Sequence, residues 1–268
     1  MNQDNRCSSS WDPQQYLKFG DHRLRPGLEL LARVAIESPR IVYDLGCGTG
    51  NLTRLIANRW PEARVVGLDS SADMLSKAQS DPGSLEWAEA DIRTWQPEER
   101  PDVIYSNATL QWVEGHDEIF PQLVGLLTPG GVMAIQMPLS WGMPSHQLMR
   151  ETMAGGGPDG KPLGTEALRI ATGRKWVDEA EAYYDLLVGC STSVDIWETE
   201  YYQILEGDDE VLEWVRGTGL RPILEGLADI EREQFLTVYS SRLREAYPKK
   251  ADGQTLYPFR RLFIVVTA

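Results

Sequence analysis

The chain has 268 residues and is 42% hydrophobic, which is enough for one large domain or for a domain with a cap. Its 40 acidic and 26 basic residues give a net charge of −14, which argues against nucleic acid or an anionic membrane surface as a partner. Three cysteines predict neither a disulfide framework nor a metal site. The polar residues 1–10 contain no signal peptide, and no apolar run is long enough to span a membrane, so we expect a cytoplasmic protein.

The N-terminal region divides into a polar tail and an aromatic segment. Residues 1–10 predict a disordered tail. The segment that begins at Trp11 has three aromatic side chains within nine positions, more than a tail needs. It is either a helix packed on the domain or a lid over a ligand, with Tyr16 and Phe19 facing that ligand. We assign residues 11–137 to a ligand-binding core with an N-terminal lid.

The stretch from Ile41 to Asn51 predicts the opening of a doubly wound sheet. An apolar strand, Ile41 to Leu45, runs into a G-x-G-x-G turn, and apolar residues at helical spacing follow the turn. The glycines let a ligand approach the backbone, and the helix start offers unpaired N–H groups. Asn51 stands where a dinucleotide-binding fingerprint has its third glycine. Asp44, just before the turn, suits a ligand with a positively charged amino-acid end better than a pyrophosphate.

Acidic residues also follow the next two predicted strands. Asp69 ends the second strand, where a carboxylate can accept both hydrogens of a ribose diol. Asp91 ends a third candidate strand, and Pro101 to Asn107 forms the fourth. In a doubly wound sheet the loop after such a strand belongs to the active site, which directs attention to residues 108–112.

The glycine loop, Asp69 and Asp91, in this order, resemble the class I S-adenosylmethionine-dependent methyltransferases. The alternatives are another kind of nucleotide-binding fold, or a degenerate fold that binds nothing. The resemblance implies an α/β fold with a Rossmann-like, doubly wound, mostly parallel seven-stranded sheet. It implies S-adenosyl-L-methionine as cofactor and S-adenosyl-L-homocysteine as product. The cofactor-binding residues that it implies are Asp44, Gly46, Cys47, Gly48, Gly50, Asp69, Ser70, Met74, Asp91, Ile92, Asn107, Ala108 and Trp112.

After the fifth predicted strand, Val132 to Met137, the alternation of strand and helix breaks. Residues 138–190 predict a cap with a mobile loop, because three glycines and a proline occupy positions 155–158. Residues 191–268 complete the sheet with two strands and a helical insertion at 205–247. The expected fold therefore has a helical cap before its last two strands.

Outside the glycine loop the resemblance narrows to the trans-aconitate 2-methyltransferases and covers nearly the whole chain after residue 10. Residues 154–178 look longer than the corresponding loop of that family, so the natural acid could differ. The segments that carry the resemblance are Tyr16–Phe19, Leu110–Trp112, Gln136–Pro138, Tyr183–Asp185, Asp195–Trp197, Trp214–Val215, Thr218–Pro222 and Arg261–Val265.

The implied reaction is methyl transfer to a carboxylate of a small polycarboxylic acid, trans-aconitate by the resemblance, giving a monomethyl ester. A carboxylate is ionised at neutral pH and needs no general base, so we assign no catalytic residue beyond those that position the acceptor. The predicted acceptor-binding residues are Tyr16, Phe19, Gln111, Trp141, His146, Tyr183, Tyr184, Arg221 and Arg261.

Each of these assignments has a structural alternative. The arginines could form ordinary ion pairs, His146 could be a structural residue, and the tryptophans could pack in the core. Of the pair Tyr183 and Tyr184, one ring could lie in the core and the other hydroxyl in the pocket. A net charge of −14 also repels a trianion, so local arginines must overcome that field. The competing functions are methylation of another small acid, an alcohol or an amine, and cofactor binding without catalysis. The sequence leaves the oligomeric state open.

Overall fold

The structure is a computed structural model that describes residues 24–80, 85–217 and 219–268. The predicted tail and aromatic lid, including Tyr16 and Phe19, lie outside the described residues. Within the described ranges, none of the helices combines the length and hydropathy that a membrane span requires.

Seven strands form one sheet in the order β3-β2-β1-β4-β5-β7-β6. This order confirms the predicted doubly wound α/β fold, because the chain moves outward from β1 in one direction and then returns to build the other side. The strands are β1 (Ile41–Leu45), β2 (Arg64–Asp69), β3 (Glu86–Glu89), β4 (Val103–Asn107), β5 (Val132–Pro138), β6 (Ser193–Leu205) and β7 (Thr255–Thr267).

The middle strands are buried because their residues are apolar almost without interruption, as expected for a sheet covered on both faces. All five residues of β1 are buried. β1 pairs in parallel with β2 and with β4, and Tyr43 lies opposite both Val66 and Ile104. β2–β3 and β4–β5 are also parallel. The carboxyl ends of these five strands therefore lie at one edge of the sheet, and the predicted ligand-binding loops follow them.

One described helix precedes β1, and the other described helices divide into those that connect the parallel strands and those that follow β5. The second group lies partly before β6 and partly between β6 and β7. The helices are α1 (Arg25–Arg33), α2 (Asn51–Arg59), α3 (Ala72–Gln79), α4 (His116–Leu126), α5 (Pro144–Gly155), α6 (Glu166–Gly173), α7 (Ala180–Leu187), α8 (Glu210–Arg216), α9 (Arg221–Gly226) and α10 (Asp229–Ala246).

The chain separates into two compact units. The first contains the described part of residues 1–137 together with 181–197 and 263–268. The second contains 138–180 and 198–262, so two separate stretches of chain build it. Apolar side chains from α5, α8, α9 and α10 form its own core, in which Phe235 and Tyr239 are fully buried. The second unit therefore has a hydrophobic core of its own.

The glycine-rich segment after α5 is tied to the second unit by hydrogen bonds. Gly157 N–H donates to the carbonyl oxygen of Lys161 at 2.9 Å, and Leu163 N–H donates to that of Met153 at 2.8 Å. The Leu163 side chain is 1% exposed and belongs to the apolar core. These contacts support an ordered connection here, in contrast to the mobile loop that the glycine composition predicts.

Hydrogen exchange distinguishes an ordered connection after α5 from a mobile loop. We expect the Leu163 amide of the free protein to exchange more than about a hundredfold slower than an unstructured peptide, because its bond must break and its side chain must leave the core. Mass spectrometry of peptides that cover 154–178 measures this rate. Exchange at the unstructured rate would support the mobile loop instead.

Candidate active site

Three glycines in the left-handed region shape the loop between β1 and α2. Gly46, Gly48 and Gly50 have φ of +74°, +56° and +79°. The N–H groups of Gly46 and Cys47 both donate to the carbonyl oxygen of Leu68, at 2.7 and 2.8 Å. The loop is therefore fastened to the end of β2, and a side chain at any of the three glycines would strain the backbone.

The three glycines have different surroundings. A Cβ on Gly46 would come within 2.1 Å of the Thr109 side chain, and a Cβ on Gly50 within 2.2 Å of the Trp87 ring. A Cβ on Gly48 would meet nothing within 4 Å. The first and third glycines are therefore required for packing, whereas the second borders open space in which a ligand can meet the backbone.

Asp44, near the end of β1, is 2% exposed. The Thr53 hydroxyl on α2 donates to its Oδ2 at 2.6 Å. Burial raises the pKa of Asp44 to about 7, the Thr53 hydrogen bond lowers it, and the charge of Asp69 raises it further. A buried carboxylate in this state favours a cationic group beside it, since the cation would stabilise its ionised form.

Asp69 joins the glycine loop to the start of α3. Its Oδ2 accepts from Gly48 N–H at 2.8 Å and its Oδ1 from Ser71 N–H at 2.9 Å. Ser71 in turn caps α3, where its hydroxyl accepts from Met74 N–H at 3.4 Å. A carboxylate has about four lone-pair sites, so Asp69 keeps acceptor capacity for a diol.

The remaining predicted residues near β2 and β3 are more exposed. The Asp91 carboxylate pairs with the Arg93 guanidinium, at 3.0 and 3.1 Å from Nε, and this bond lowers the pKa of Asp91 to about 2. Ser70 is exposed, Met74 is 37% exposed and Ile92 is half-buried. Cys47 is buried, and burial raises the pKa of its thiol, which therefore stays protonated at neutral pH.

The loop after β4 holds an uncommon backbone conformation. Ala108 has φ of +55°, although it is not a glycine, and its N–H donates to the carbonyl oxygen of Gln136 at 2.9 Å. The Thr109 hydroxyl donates to the carbonyl oxygen of Gly46 at 3.1 Å. The β1 and β4 loops are thereby linked, and the strained Ala108 marks this place as a functional candidate.

Two amide side chains of the same loop present buried acceptor oxygens. Gln111 Nε2 donates to the carbonyl oxygen of Ala108 at 2.6 Å. Asn107 Oδ1 and Gln111 Oε1 are buried, and no donor reaches them among the residues that the structure describes. Trp112, one position further on, is 56% exposed. Buried acceptors of this kind indicate a missing partner, such as a ligand or water.

His116, which the sequence analysis did not single out, braces this loop. Its Nε2 lies 2.8 Å from the carbonyl oxygen of Leu110, and its Nδ1 lies 2.6 Å from the Tyr183 hydroxyl. Because a carbonyl oxygen only accepts, Nε2 carries the proton and Nδ1 accepts from Tyr183. The structure therefore places Tyr183 in the core of the first unit, whereas Tyr184 is 49% exposed.

The predicted acceptor residues of the second unit lie in different environments. Arg261 is 8% exposed, its guanidinium lies 4.2 Å from the Phe259 ring, and burial lowers its pKa to about 10. Arg221 is exposed, and its Nε lies 2.7 Å from Glu225 Oε1. Arg261 fits a buried anion anchor more closely than Arg221, and both assignments stay predictions.

His146 and Trp141 also belong to the second unit. Burial, with a smaller effect of the Arg150 charge, lowers the pKa of His146 to about 4. Trp141 is 42% exposed and donates through Nε1 to the carbonyl oxygen of Gly173 at 3.1 Å. His146 is therefore neutral at physiological pH, and Trp141 is fixed in orientation.

The sequence analysis did not assign the residues that pack against Asp44 and the ligand-binding loops. Thr53 holds Asp44, and Thr109 links two loops. The Trp87 ring also lies within 2.6 Å of where a Cβ on Gly67 would stand. A glycine inside a predicted strand signals such a close approach, so Gly67 was the available hint for Trp87.

Comparison with known proteins shows the family to which the chain belongs. A family model described as a methyltransferase domain matches residues 42–131. The trans-aconitate 2-methyltransferase of Azoarcus sp. is 46% identical over 257 residues, which is 96% of this chain and 98% of that protein. One from Escherichia coli is 47% identical over 258 residues, with the same coverage. The chain belongs to the trans-aconitate 2-methyltransferase family. It is an S-adenosylmethionine-dependent methyltransferase, and the resemblance found in the sequence is confirmed.

Solved structures confirm the fold of this family member. Phosphoethanolamine N-methyltransferase 2 of Haemonchus contortus, in complex with phosphomonomethylethanolamine and S-adenosylhomocysteine, gives a TM-score of 0.52 at 16% identity, covering 90% of this chain and 52% of that one. The YcgJ protein of Bacillus subtilis gives 0.56 at 12% identity, covering 90% and 96%. At these identities the likeness shows the fold alone.

The residues at the β1 and β2 ends fit S-adenosylmethionine. Asp44 would hold the amino group, because its buried carboxylate gains a cation there. Asp69 would hold the ribose, because two of its lone-pair sites stay unused. Gly48 would lie against the ligand, because a Cβ at that position faces open space. When bound, S-adenosylmethionine supplies a methyl group activated by a sulfonium.

Asp44 should make stability and cofactor affinity depend on pH in opposite directions. Its folded pKa lies above its unfolded value of 3.8, so its ionisation destabilises the free protein as pH rises, fully above pH 7 and not below about pH 4. The full penalty is about 4 kcal/mol. Asp44→Asn should therefore raise the free energy of unfolding at pH 8, and this gain should shrink towards pH 4.

Urea unfolding at pH 8 and at pH 4 measures the gain in the free energy of unfolding. Calorimetry measures the affinity for S-adenosylmethionine. The wild type should bind S-adenosylmethionine more tightly at pH 7.5 than at pH 6, because the ionised carboxylate binds the amino group. Asp44→Asn should bind weakly at both pH values. Equal stability of the two proteins at pH 8 would contradict a strained buried carboxylate.

Asp69→Ala should weaken binding of S-adenosylmethionine by about ten- to a hundredfold, since a charge-assisted hydrogen bond is lost. Calorimetry on the folded variant gives the dissociation constant. The matched control is Asp73→Ala, which removes a neighbouring exposed carboxylate in the first turn of α3. The two variants binding with equal affinity would remove Asp69 from the site.

Proposed function

We propose that the acceptor is a small polycarboxylic acid, with trans-aconitate as the first candidate, and that the product is its monomethyl ester. The observation that carries the proposal is the extent of the match. The methyltransferase domain spans residues 42–131, whereas the named relatives match over 96% of this chain. The second unit lies outside that domain, so the match includes residues that the donor side of the reaction does not require.

The histidines support an acceptor that needs no deprotonation. His116 lies beside the β4 loop, but its Nε2 proton is donated to a backbone carbonyl and its Nδ1 accepts from Tyr183. His146 has a pKa of about 4, which makes it a weak base. An alcohol needs a base to become nucleophilic, whereas a carboxylate is already ionised. Both histidines of the described residues therefore favour the carboxylate over the alcohol.

This chain's residues then act by holding and orienting the acceptor and by excluding water. Gln111 and Asn107 lie at the carboxyl end of β4, where acceptor and donor sites meet in this fold class. Arg261 is the predicted anchor for a negative charge, because a buried guanidinium binds a carboxylate by charge-assisted hydrogen bonds. Correct placement alone can supply much of the rate, since effective molarities for well-oriented groups are large.

The cytoplasm is the compartment that we propose. It is supported by the free thiols of Cys47 and Cys190 among the described residues, since thiols persist in a reducing environment. The competing proposals for the acceptor remain another small acid, an alcohol or an amine, and they are decided by the same experiment.

A screen with methyl-labelled S-adenosylmethionine tests the acceptor. We expect label in a base-labile ester when trans-aconitate or a related polycarboxylic acid is supplied. Alcohols and amines of similar size should stay unlabelled, because neither histidine of the described residues is set up to deprotonate them. Labelling of an alcohol or amine but of no carboxylic acid would overturn the proposed function. Cofactor binding without labelling of any acceptor would support a non-catalytic protein.

A further inference from the structure

Arg150, on α5 in the second unit, is an arginine whose guanidinium lies over an aromatic ring. Its guanidinium carbon lies 4.0 Å from the centre of the Trp141 ring. Trp141 is itself oriented by its hydrogen bond to the carbonyl oxygen of Gly173. A stacked guanidinium keeps its N–H donors at its edge, where they can meet a planar anion in a bidentate manner.

Burial lowers the pKa of Arg150 and the charge of the adjacent Glu151 raises it, but no described carboxylate forms an ion pair with its guanidinium. Within the part of the protein that the structure describes, no carboxylate oxygen lies within 4.0 Å of its guanidinium. Arg244, in the same unit, has its Nε 2.9 Å from Asp209 Oδ1. The adjacent Glu151 is engaged elsewhere, since its Oε1 accepts from Gln147 Nε2 at 2.9 Å. A half-buried arginine without an ion-pair partner among the described residues is unexpected in a chain of charge −14.

His146 lies one turn before Arg150 and therefore on the same side of α5. A buried chain of hydrogen bonds leads to it. The Tyr257 hydroxyl lies 3.1 Å from Ser145 Oγ, and Ser145 Oγ lies 3.2 Å from His146 Nδ1. Tyr257 is fully buried. Donation from Tyr257 to Ser145 and from Ser145 to Nδ1 gives both hydroxyl protons an acceptor among the described residues.

This direction places the single ring proton of neutral His146 on Nε2. A Cβ on Gly219 would lie 2.9 Å from that nitrogen, so a side chain at position 219 would take up the space beside it. Burial, then the Arg150 charge, lowers the pKa of His146, and the ring stays neutral beside the arginine. Nε2–H is therefore a donor that does not repel the guanidinium, and both groups suit the same anion.

We propose that Arg150 and His146 Nε2–H bind one carboxylate of the acceptor, with Trp141 as the wall that orients the arginine. The inference rests on the proposed function, because it names residues that select an acidic acceptor. The carboxylate bound here is one that is not methylated, so the contact selects among acids and takes no part in the bond changes. Arg150 is thus a specificity-determining residue that the sequence analysis did not identify.

Steady-state kinetics with acids of one, two and three carboxylates test the inference. Arg150→Gln should raise KM for trans-aconitate by about ten- to a hundredfold and should change it less for a monocarboxylic acid. Arg150→Lys should recover only part of the loss, because lysine keeps the charge but not the bidentate geometry. The dissociation constant of S-adenosylmethionine should stay unchanged. Arg244→Gln, which removes a paired arginine of the same unit, is the control and should behave as the wild type.

Two replacements test the proposed role of His146 in binding the acceptor carboxylate. His146→Gln keeps a side-chain donor and should retain more activity on trans-aconitate than His146→Leu, which keeps none. Thermal unfolding and cofactor binding show whether each variant is folded. If the wild type methylates polycarboxylic acids and folded Arg150→Gln keeps the same KM for all of them, the inference is overturned and the proposed function stands. If the wild type methylates no carboxylic acid, both fail.

Discussion

A carboxylate buried near the end of the first strand is the constraint on which the site depends. Asp44 is almost inaccessible to water, and Thr53 supplies the short hydrogen bond that holds it. Keeping an acid in such a place is unfavourable for the free protein, as its pKa of about 7 shows. The glycine loop closes beside it and is fastened to β2 through the Leu68 carbonyl. A ligand with a positive charge stabilises the ionised carboxylate. The free energy that the free protein loses by burying Asp44 is therefore regained when such a ligand binds, which increases the affinity.

The two units contribute different chemistry. The first carries the residues proposed to bind S-adenosylmethionine, in loops at the carboxyl ends of parallel strands, where ligands bind in this fold class. The second has its own apolar core, and it contains the cationic and hydrogen-bonding groups that we propose for binding an acid. The net charge of −14 opposes anion binding at long range. We propose that Arg150, which is half-buried, and Arg261, which is buried, offset this repulsion locally, because charges are screened least where water is excluded.

The histidines explain why the proposed acceptor is a carboxylate. A histidine near a reaction centre is usually suspected of moving protons. In this protein both ring nitrogens of His116 form hydrogen bonds that brace the β4 loop, and burial keeps His146 neutral. Each is a hydrogen-bonding residue, and neither of these two described histidines is set up as a base. A reaction that needs only alignment and dry surroundings is compatible with this arrangement.

The sequence by itself determined the fold class and suggested residues for the donor side of the site, because these depend on local patterns. An apolar run, a glycine turn and an acid after a strand can be recognised without knowing their neighbours, and Asp44, Gly48 and Asp69 were proposed in this way, whereas the strand order came from the structure. Only the tertiary structure separated Tyr183 from Tyr184, ranked Arg261 above Arg221 and revealed Arg150. Those distinctions depend on which side chains pack together and on where counter-ions lie. Packing and charge pairing join residues far apart in the chain, and no spacing in the sequence records them.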